Sequence, residues 1–149
     1  MRPSIVPFVA LLAAGCATPF LIPANAESRL NGQVDVVASN APPFPYDRSA
    51  PLGPGLDILN FKVENLSRTA QMKVDRDAIF LVGPAGRVNR EPGGLQTVYD
   101  LAPGDVHDVN VRFSLDGFAR GQMASVHFEE AITIGGQRVG IAPLTFQVR

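Results

Sequence analysis

Apolar and polar side chains alternate with a period of two along most of the chain after residue 55. Over residues 56–65 and again over 108–115, every second side chain is apolar, which is typical of a strand with one face buried. A shorter alternation follows in 124–130. The pattern predicts a core that includes Leu59, Phe61, Val63, Val109, Val111, Phe113, Leu115, Val126 and Phe128.

Glycine and proline separate these segments. The turn at 83–86 and the Gly135-Gly136 pair each predict a hairpin, because glycine readily takes the positive φ that two-residue turns need. No segment keeps an apolar period of 3.6. About eight short strands between such turns predict an all-β domain, an Ig-like two-layer antiparallel sandwich of about 7–9 strands over residues 27–149.

Residues 40–55 form the most distinctive connection. This stretch contains five prolines, which exclude a helix or a central strand and favour an extended loop. Phe44 and Tyr46 lie between prolines in it. A stiff ribbon of this kind loses little entropy on binding, so both aromatics are candidate partner-binding residues. In the alternative interpretation, they fold back and cover a sheet edge.

The first 26 residues have the pattern of a secretory signal peptide. Arg2 precedes a long uncharged stretch, and small residues at Ala24 and Ala26 suit cleavage after Ala26. Three prolines make this stretch a poor permanent membrane helix. We therefore expect an exported, periplasmic or secreted protein with no membrane span in its mature form.

A second processing site competes with the first. The sequence Leu-Ala-Ala-Gly-Cys at 12–16 is similar to a lipobox, in which Cys16 becomes the acylated first residue of a lipoprotein. The apolar residues after Cys16 are unusual for a lipoprotein tether, so cleavage after Ala26 is favoured. Both routes export the protein, and only the second anchors it.

Composition excludes several function classes. The chain has 13 basic and 14 acidic residues, interspersed, so it offers no basic stripe for nucleic acid. It has one cysteine and no tryptophan, which excludes a disulfide, a cysteine metal cluster and the tryptophan and disulfide of antibody-type domains. The core alone must hold the domain together.

Two stretches, 61–88 and 101–115, together resemble the Ig-like domains of extracytoplasmic bacterial proteins in the DUF4352 and telokin-like group. The shared features are an Asn turn between two strands, a glycine hairpin, and a Leu-x-Pro-Gly turn that leads into an alternating strand ending in Phe. The resemblance implies a sandwich fold and an extracytoplasmic location. It implies no shared enzymatic activity.

The two histidines suggest a metal site as an alternative. His127 and Glu129 are two apart on a predicted strand and can share an ion, with His107 nearby if its strand is adjacent. Met72 and Met123 are soft ligands for copper. The other interpretation is a solvated sheet face with opposed charges, for example Arg112 against Glu129. The latter is favoured, so no metal or cofactor is predicted.

Other chemistry is weakly supported. Asp75 and Asp77 lack the oxygen-rich loop that calcium needs, and Asp77 is expected to cap or turn the chain before the apolar run at 78–82. Glu130 is expected to mark the end of its strand. No Gly-x-Ser-x-Gly elbow occurs, and the one cysteine lies in the export segment, so we do not predict an enzyme.

The sequence thus favours a non-catalytic exported sandwich that binds another protein of the cell envelope. A periplasmic copper or zinc binding protein is the first alternative. An enzyme with an unrecognised site is the second.

Overall fold

A computed structural model of the chain describes residues 19–24, 27–30, 32–39 and 56–149. Within these ranges the protein is all-β, with no α-helix and one 3-10 turn at Arg76–Ala78. The strands are β1 Leu21–Pro23, β2 Glu27–Leu30, β3 Val34–Ser39, β4 Leu56–Asn65, β5 Met72–Asp75, β6 Phe80–Gly83, β7 Gly86–Asn89, β8 Val98–Leu101, β9 Val106–Ser114, β10 Met123–His127, β11 Ile132–Ile134, β12 Gln137–Arg138 and β13 Leu144–Val148.

The strands form three antiparallel sheets. Their orders are β1-β13-β10-β6-β7, β12-β11-β5-β8 and β2-β3-β4-β9. Aromatic side chains join the first sheet to the third, because Phe61 of β4 lies edge-on to Phe128 and to Phe146 of β13, with ring centroids 5.0 and 6.3 Å apart. The sheets therefore face each other across one core, which confirms the all-β class and is consistent with a sandwich.

The alternation predicted the core correctly. Every side chain that the pattern placed inside is buried, including Phe61, Val111 and Phe113. Further core residues lie on β3, β5, β6 and the last strand, among them Val34, Val36, Met72, Val74, Leu81, Leu144, Phe146 and Val148. Burying this apolar surface is the main favourable term in folding.

Asn65, at the end of β4, joins two turns that are distant in sequence. Its side-chain amide donates to the carbonyls of Ala70 and Leu101, at 2.9 and 3.0 Å, and its side-chain oxygen accepts from the Ser67 N–H. Its backbone pairs with Asp105 and Gly104. The Asn turn and the Leu-x-Pro-Gly turn are therefore one connected structure.

Both predicted hairpins are confirmed. Gly83 pairs with Gly86 between β6 and β7, and Ile134 pairs with Gln137 across the Gly135-Gly136 turn. More strands occur than about eight, because pieces of two to four residues pair at the sheet margins. Among them is β2, which pairs with β3, whereas the alternation around Val34 and Val36 predicts one strand over residues 29–38.

Asp77 lies within the 3-10 turn before β6, which confirms the prediction that it turns the chain; the cap itself is Asp75, whose carboxylate accepts from the Asp77 N–H. The apolar run at 78–82 predicts a strand over its whole length, but its first residue belongs to that turn and β6 begins only at Phe80. Residues 116–120, where the sequence allows a short helical turn, form hydrogen-bonded turns instead.

β1 lies inside the segment that the sequence predicts to be removed. It pairs with β13, Leu21 is buried, and the Leu21 N–H donates to Oδ2 of Asp57 at the start of β4, at 2.7 Å. Burial raises the pKa of the Asp57 carboxyl above its ordinary 3.8, and the N–H groups of Leu21 and Ile58 oppose that shift.

Asp57→Asn is expected to change how stability depends on pH. A raised pKa means that folded Asp57 holds its proton more tightly than the unfolded chain does. The wild-type domain therefore loses stability as the pH rises from below 3.8 through the raised pKa. Asparagine does not titrate, so the stability of the variant relative to wild type should increase over that range. Urea unfolding at several acidic pH values measures this.

Asp116→Asn, at an exposed acid, is the control for the Asp57 variant. If both variants follow the wild-type pH profile in parallel, the assignment to Asp57 is wrong.

No helix in the described ranges has the length and apolar character needed to cross a bilayer.

Candidate functional site

A cleft of about 100 Å³ lies where the segment between β7 and β8 runs along the free edge of β9. The segment is held there by the Glu91 N–H, which donates to the Arg112 carbonyl of β9 at 2.7 Å. The lining residues are Ile58, Arg76, Arg90, Glu91, Pro92, Gly93, Gly94, Asn110 and Arg112. We call this the arginine cleft.

Arg76 is the most buried of the three arginines, with 8% of its surface exposed. Its position is set by the 3-10 turn between β5 and β6, and its Nη2 donates to the Gly93 carbonyl at 2.7 Å. Its Nε is buried without a hydrogen-bond partner in the described part of the chain. A buried donor without a partner is costly, and because this atom is closed off from solvent, any contact of Arg76 with a group in the cleft has to use its other nitrogens.

The tight turn at Gly94 makes room for the Arg76 guanidinium. Gly94 has φ +87, a conformation that L side chains rarely adopt, and a Cβ there would come within 2.6 Å of Nη2 of Arg76. The backbone conformation therefore favours glycine, and a side chain there would also displace the Arg76 guanidinium.

Arg90 forms the second wall of the arginine cleft. Its guanidinium is paired with the Asp77 carboxylate, and its Nη1 also donates to the carbonyls of Glu91 and Gly93. Only 11% of its side chain is exposed. Asp77, which the sequence assigned to a turn or a cap, thus holds Arg90 in place. Arg90 follows β7 and is 13 residues later in the chain.

Arg112 and Asn110 supply the floor of the arginine cleft. They alternate with the buried Val109 and Val111 on β9 and therefore lie on the outer face of the sheet. Oδ1 of Asn110 is buried with no partner among the described residues. The arginine cleft thus has three arginines against two carboxylates, those of Glu91 and of Asp77, which pairs with Arg90, and the remaining positive charge suits an anionic group.

An apolar rim lies beside the arginine cleft. Leu95, the residue after Gly94, is fully exposed, and Val98 at the start of edge strand β8 is also exposed. A fully exposed leucine next to a charged cleft is more informative than an isolated one, because protein interfaces combine apolar anchors with arginines.

His127 lies on β10 and contacts the residues two positions before and after it, Ser125 and Glu129. Its Nε2 is 2.9 Å from the Ser125 hydroxyl, its Nδ1 is 3.7 Å from a Glu129 carboxylate oxygen, and its ring stacks on Phe80 with centroids 5.0 Å apart. Ser125 is in mid-strand, paired with both Val82 and Thr145. Its backbone belongs to the ladder, so this arrangement does not form the oxyanion hole that acyl transfer needs.

His107 is not close to His127. It lies on β9 of another sheet, where its ring packs on Tyr99 with centroids 4.3 Å apart. Met72 is buried in the core, whereas Met123 is half-exposed on β10. The candidate metal ligands are therefore dispersed, and no group of three ligating side chains occurs in the described ranges.

The expected contact of Arg112 with Glu129 is wrong. Arg112 lines the arginine cleft on β9, whereas Glu129 follows β10 in a different sheet and contacts His127. Glu130 lies past the end of β10, as predicted, and forms two hydrogen bonds with Arg87, which lower the pKa of the Glu130 carboxyl and raise that of the Arg87 guanidinium.

Several predicted site residues lie outside the described part of the chain. These are Phe44 and Tyr46 in the 40–55 loop, together with Cys16 and Ala26 of the two processing sites. Ala24 is described, and it is exposed, with its N–H donating to the Thr145 carbonyl at 2.8 Å.

The arginine cleft was missed in the sequence because its members come from four separate segments. Arg76 has an acid on either side, Arg112 alternates like any outward-facing residue, and only Pro92-Gly93-Gly94 marks the crossing segment. A double glycine after a proline next to two charged residues was the one available signal. No protein-family model, curated protein or solved structure matches this chain.

Proposed function

We propose that this chain is an exported, non-catalytic binding domain that holds another protein of the cell envelope through the arginine cleft and its apolar rim. The observation that carries the proposal is the grouping of Arg76, which is largely buried, with Arg90 and Arg112 along one cleft. The ligand chemistry is an acidic side chain of the partner in the cleft, with a neighbouring apolar side chain on Leu95.

Burial supports an anionic ligand here. Arg76 and Arg90 are largely withdrawn from water, so an incoming carboxylate competes with little hydration and forms stronger, charge-assisted hydrogen bonds. The planar guanidinium also matches the two oxygens of a carboxylate. A cleft of about 100 Å³ accommodates a side-chain carboxylate.

The apolar rim supports a protein ligand over a free small anion. A free anion uses only the arginines, whereas Leu95 and Val98 contribute only if an apolar surface covers them. The aromatic pair Phe44 and Tyr46 stays a predicted second contact.

Arg112→Gln is expected to weaken carboxylate binding about tenfold, the effect of losing roughly 1.4 kcal/mol of interaction. Arg112 is the variant of choice because Arg76 and Arg90 also hold the Gly93 carbonyl, whereas the side chain of Arg112 is not part of that support. The probes are acetate and N-acetylglutamate, and the readout is the amide NMR shifts of Gly93 and Gly94.

Arg68→Gln removes the same charge from an exposed position away from the cleft and should bind like wild type. If the Gly93 and Gly94 signals do not respond to about 10 mM probe, or respond equally in the Arg112 variant, the cleft does not bind carboxylates.

Leu95→Asp distinguishes binding of the protein partner from binding of the small probe. It is expected to abolish cross-linking to the envelope partner while leaving acetate binding intact.

A further inference from the structure

β1 has the hydrogen bonding of a permanent strand. The Phe20 N–H and carbonyl both pair with Arg149, at 3.1 and 2.8 Å, and the Ala24 N–H donates to the Thr145 carbonyl. Between these ends, Leu21, Ile22 and Pro23 are in register with Val148, Gln147 and Phe146. The ladder is therefore continuous over five residues of the segment assigned to the signal peptide.

Pro23 fits this strand without the loss of a backbone hydrogen bond. Pairing alternates along an antiparallel ladder, and the bonded positions here are those of Phe20 and Ala24. Pro23 therefore occupies a non-bonded position, where a missing N–H faces away from β13. Proline is tolerated at such edge positions, so it is no obstacle to β1 as a structural strand.

Leu21 connects β1 to both sheets of the sandwich. Its side chain is 4% exposed and belongs to the main core, and its N–H donates across to Asp57 in the opposite sheet. Removal of the segment would open the core at Leu21, leave the partly buried Asp57 carboxyl without this donor, and turn β13 into an edge strand that is paired only with β10.

We propose that β1 is retained in the mature protein and that processing takes place at Cys16, in the Leu-Ala-Ala-Gly-Cys sequence, rather than after Ala26. Of the two processing sites in the sequence, this is the one that leaves β1 intact. The Cys16 thiol would form a thioether with the diacylglyceryl group of a membrane phospholipid, whose phosphate headgroup leaves with the thiol proton, and hydrolysis of the Gly15–Cys16 peptide bond would then free the Cys16 amine. The mature protein is then a lipoprotein. Four Cα–Cα steps separate Cys16 from Phe20 and can span at most about 14 Å, so the β1 end of the domain lies close to the membrane.

The position of the mature N-terminus tests whether processing takes place at Cys16 and β1 is retained. We expect the protein purified from the native envelope fraction to have the intact mass of a chain that starts at acylated Cys16. A chain that starts at Glu27, or at an unmodified Met1, overturns the inference. Either result leaves the carboxylate test of the arginine cleft unaffected, so the two proposals can fail separately.

Two matched variants test which of the two processing sites is used. Cys16→Ser should abolish the lipid and prevent maturation, whereas Ala26→Leu should mature normally and carry its extra side-chain mass. The reverse pattern, with maturation blocked only by Ala26→Leu, contradicts the proposal.

A stability measurement tests retention of β1 independently. In protein purified from the envelope, Leu21→Ala should lower the melting temperature by roughly 10 °C, because a buried leucine is lost. Phe20→Ala, at the half-exposed neighbour, should lower it by only a few degrees. Melting temperatures equal to wild type in both variants would show that residues 20 and 21 are absent from the mature domain.

Discussion

Phe61→Ala is expected to lower the free energy of unfolding by about 3–5 kcal/mol, the largest effect of any single truncation proposed here. Phe61 is fully buried at the middle of β4, and its ring meets Phe128 and Phe146 edge-on. The loss combines the removed apolar surface, the cavity left in a close-packed interior and two aromatic contacts.

Urea unfolding followed by tyrosine fluorescence or circular dichroism measures the effect of Phe61→Ala. Phe61→Leu is the matched control, since it keeps most of the volume and loses mainly the edge-on contacts. We expect it to cost about 1–1.5 kcal/mol. Equal losses in the two variants would contradict the cavity as the main cause.

Asn65→Asp is expected to destabilise the domain by about 3 kcal/mol, although the two side chains have almost the same shape. The amide of Asn65 donates to two backbone carbonyls, those of Ala70 and Leu101, in a site with no exposure to solvent. A carboxylate cannot donate, so it would face two carbonyl oxygens and carry a buried charge.

Two comparisons isolate the cause. Asn65→Ala should cost a similar amount, because it leaves the Leu101 carbonyl without its donor. Asn89→Ala, at an exposed position on β7, should change stability by less than about 0.5 kcal/mol. If Asn65→Asp unfolds at the wild-type urea midpoint, the side-chain amide does not hold the two turns together.

Asn65 connects two of the turns on which the family resemblance rests. The Asn turn and the Leu-x-Pro-Gly turn were recognised as separate sequence features, and in the structure they meet through this side chain and its backbone. Membership in the DUF4352 and telokin-like group stays a prediction. The shared turn chemistry follows from the need to satisfy the backbone at the ends of β4 and β8.

Fold class and core could be predicted because they depend on local order. A strand turns successive side chains to opposite faces, so alternation assigns Leu59, Phe61 and Phe113 to the interior without any knowledge of pairing. The hairpins at 83–86 and 135–136 could be predicted because glycine determines them within a few residues.

The candidate site could not be predicted in the same way. Arg76, Arg90 and Arg112 are at least 14 residues apart in sequence, and they meet only because the 90–94 segment folds back over β9. His107 was a candidate ligand beside His127 only if the two strands were adjacent, and β9 and β10 lie in different sheets. Sheet order is a long-range property that alternation does not encode.

The sequence by itself determined which side chains are buried, where the chain turns, and that the domain is built from antiparallel strands, since each of these follows from local periodicity and backbone sterics. Only the tertiary structure decided which strands are neighbours, and with that the arginine cleft, the link through Asn65 and the pairing of β1 with β13. These features depend on the order of strands within the sheets. That order is selected by the packing of the whole core rather than by any single segment.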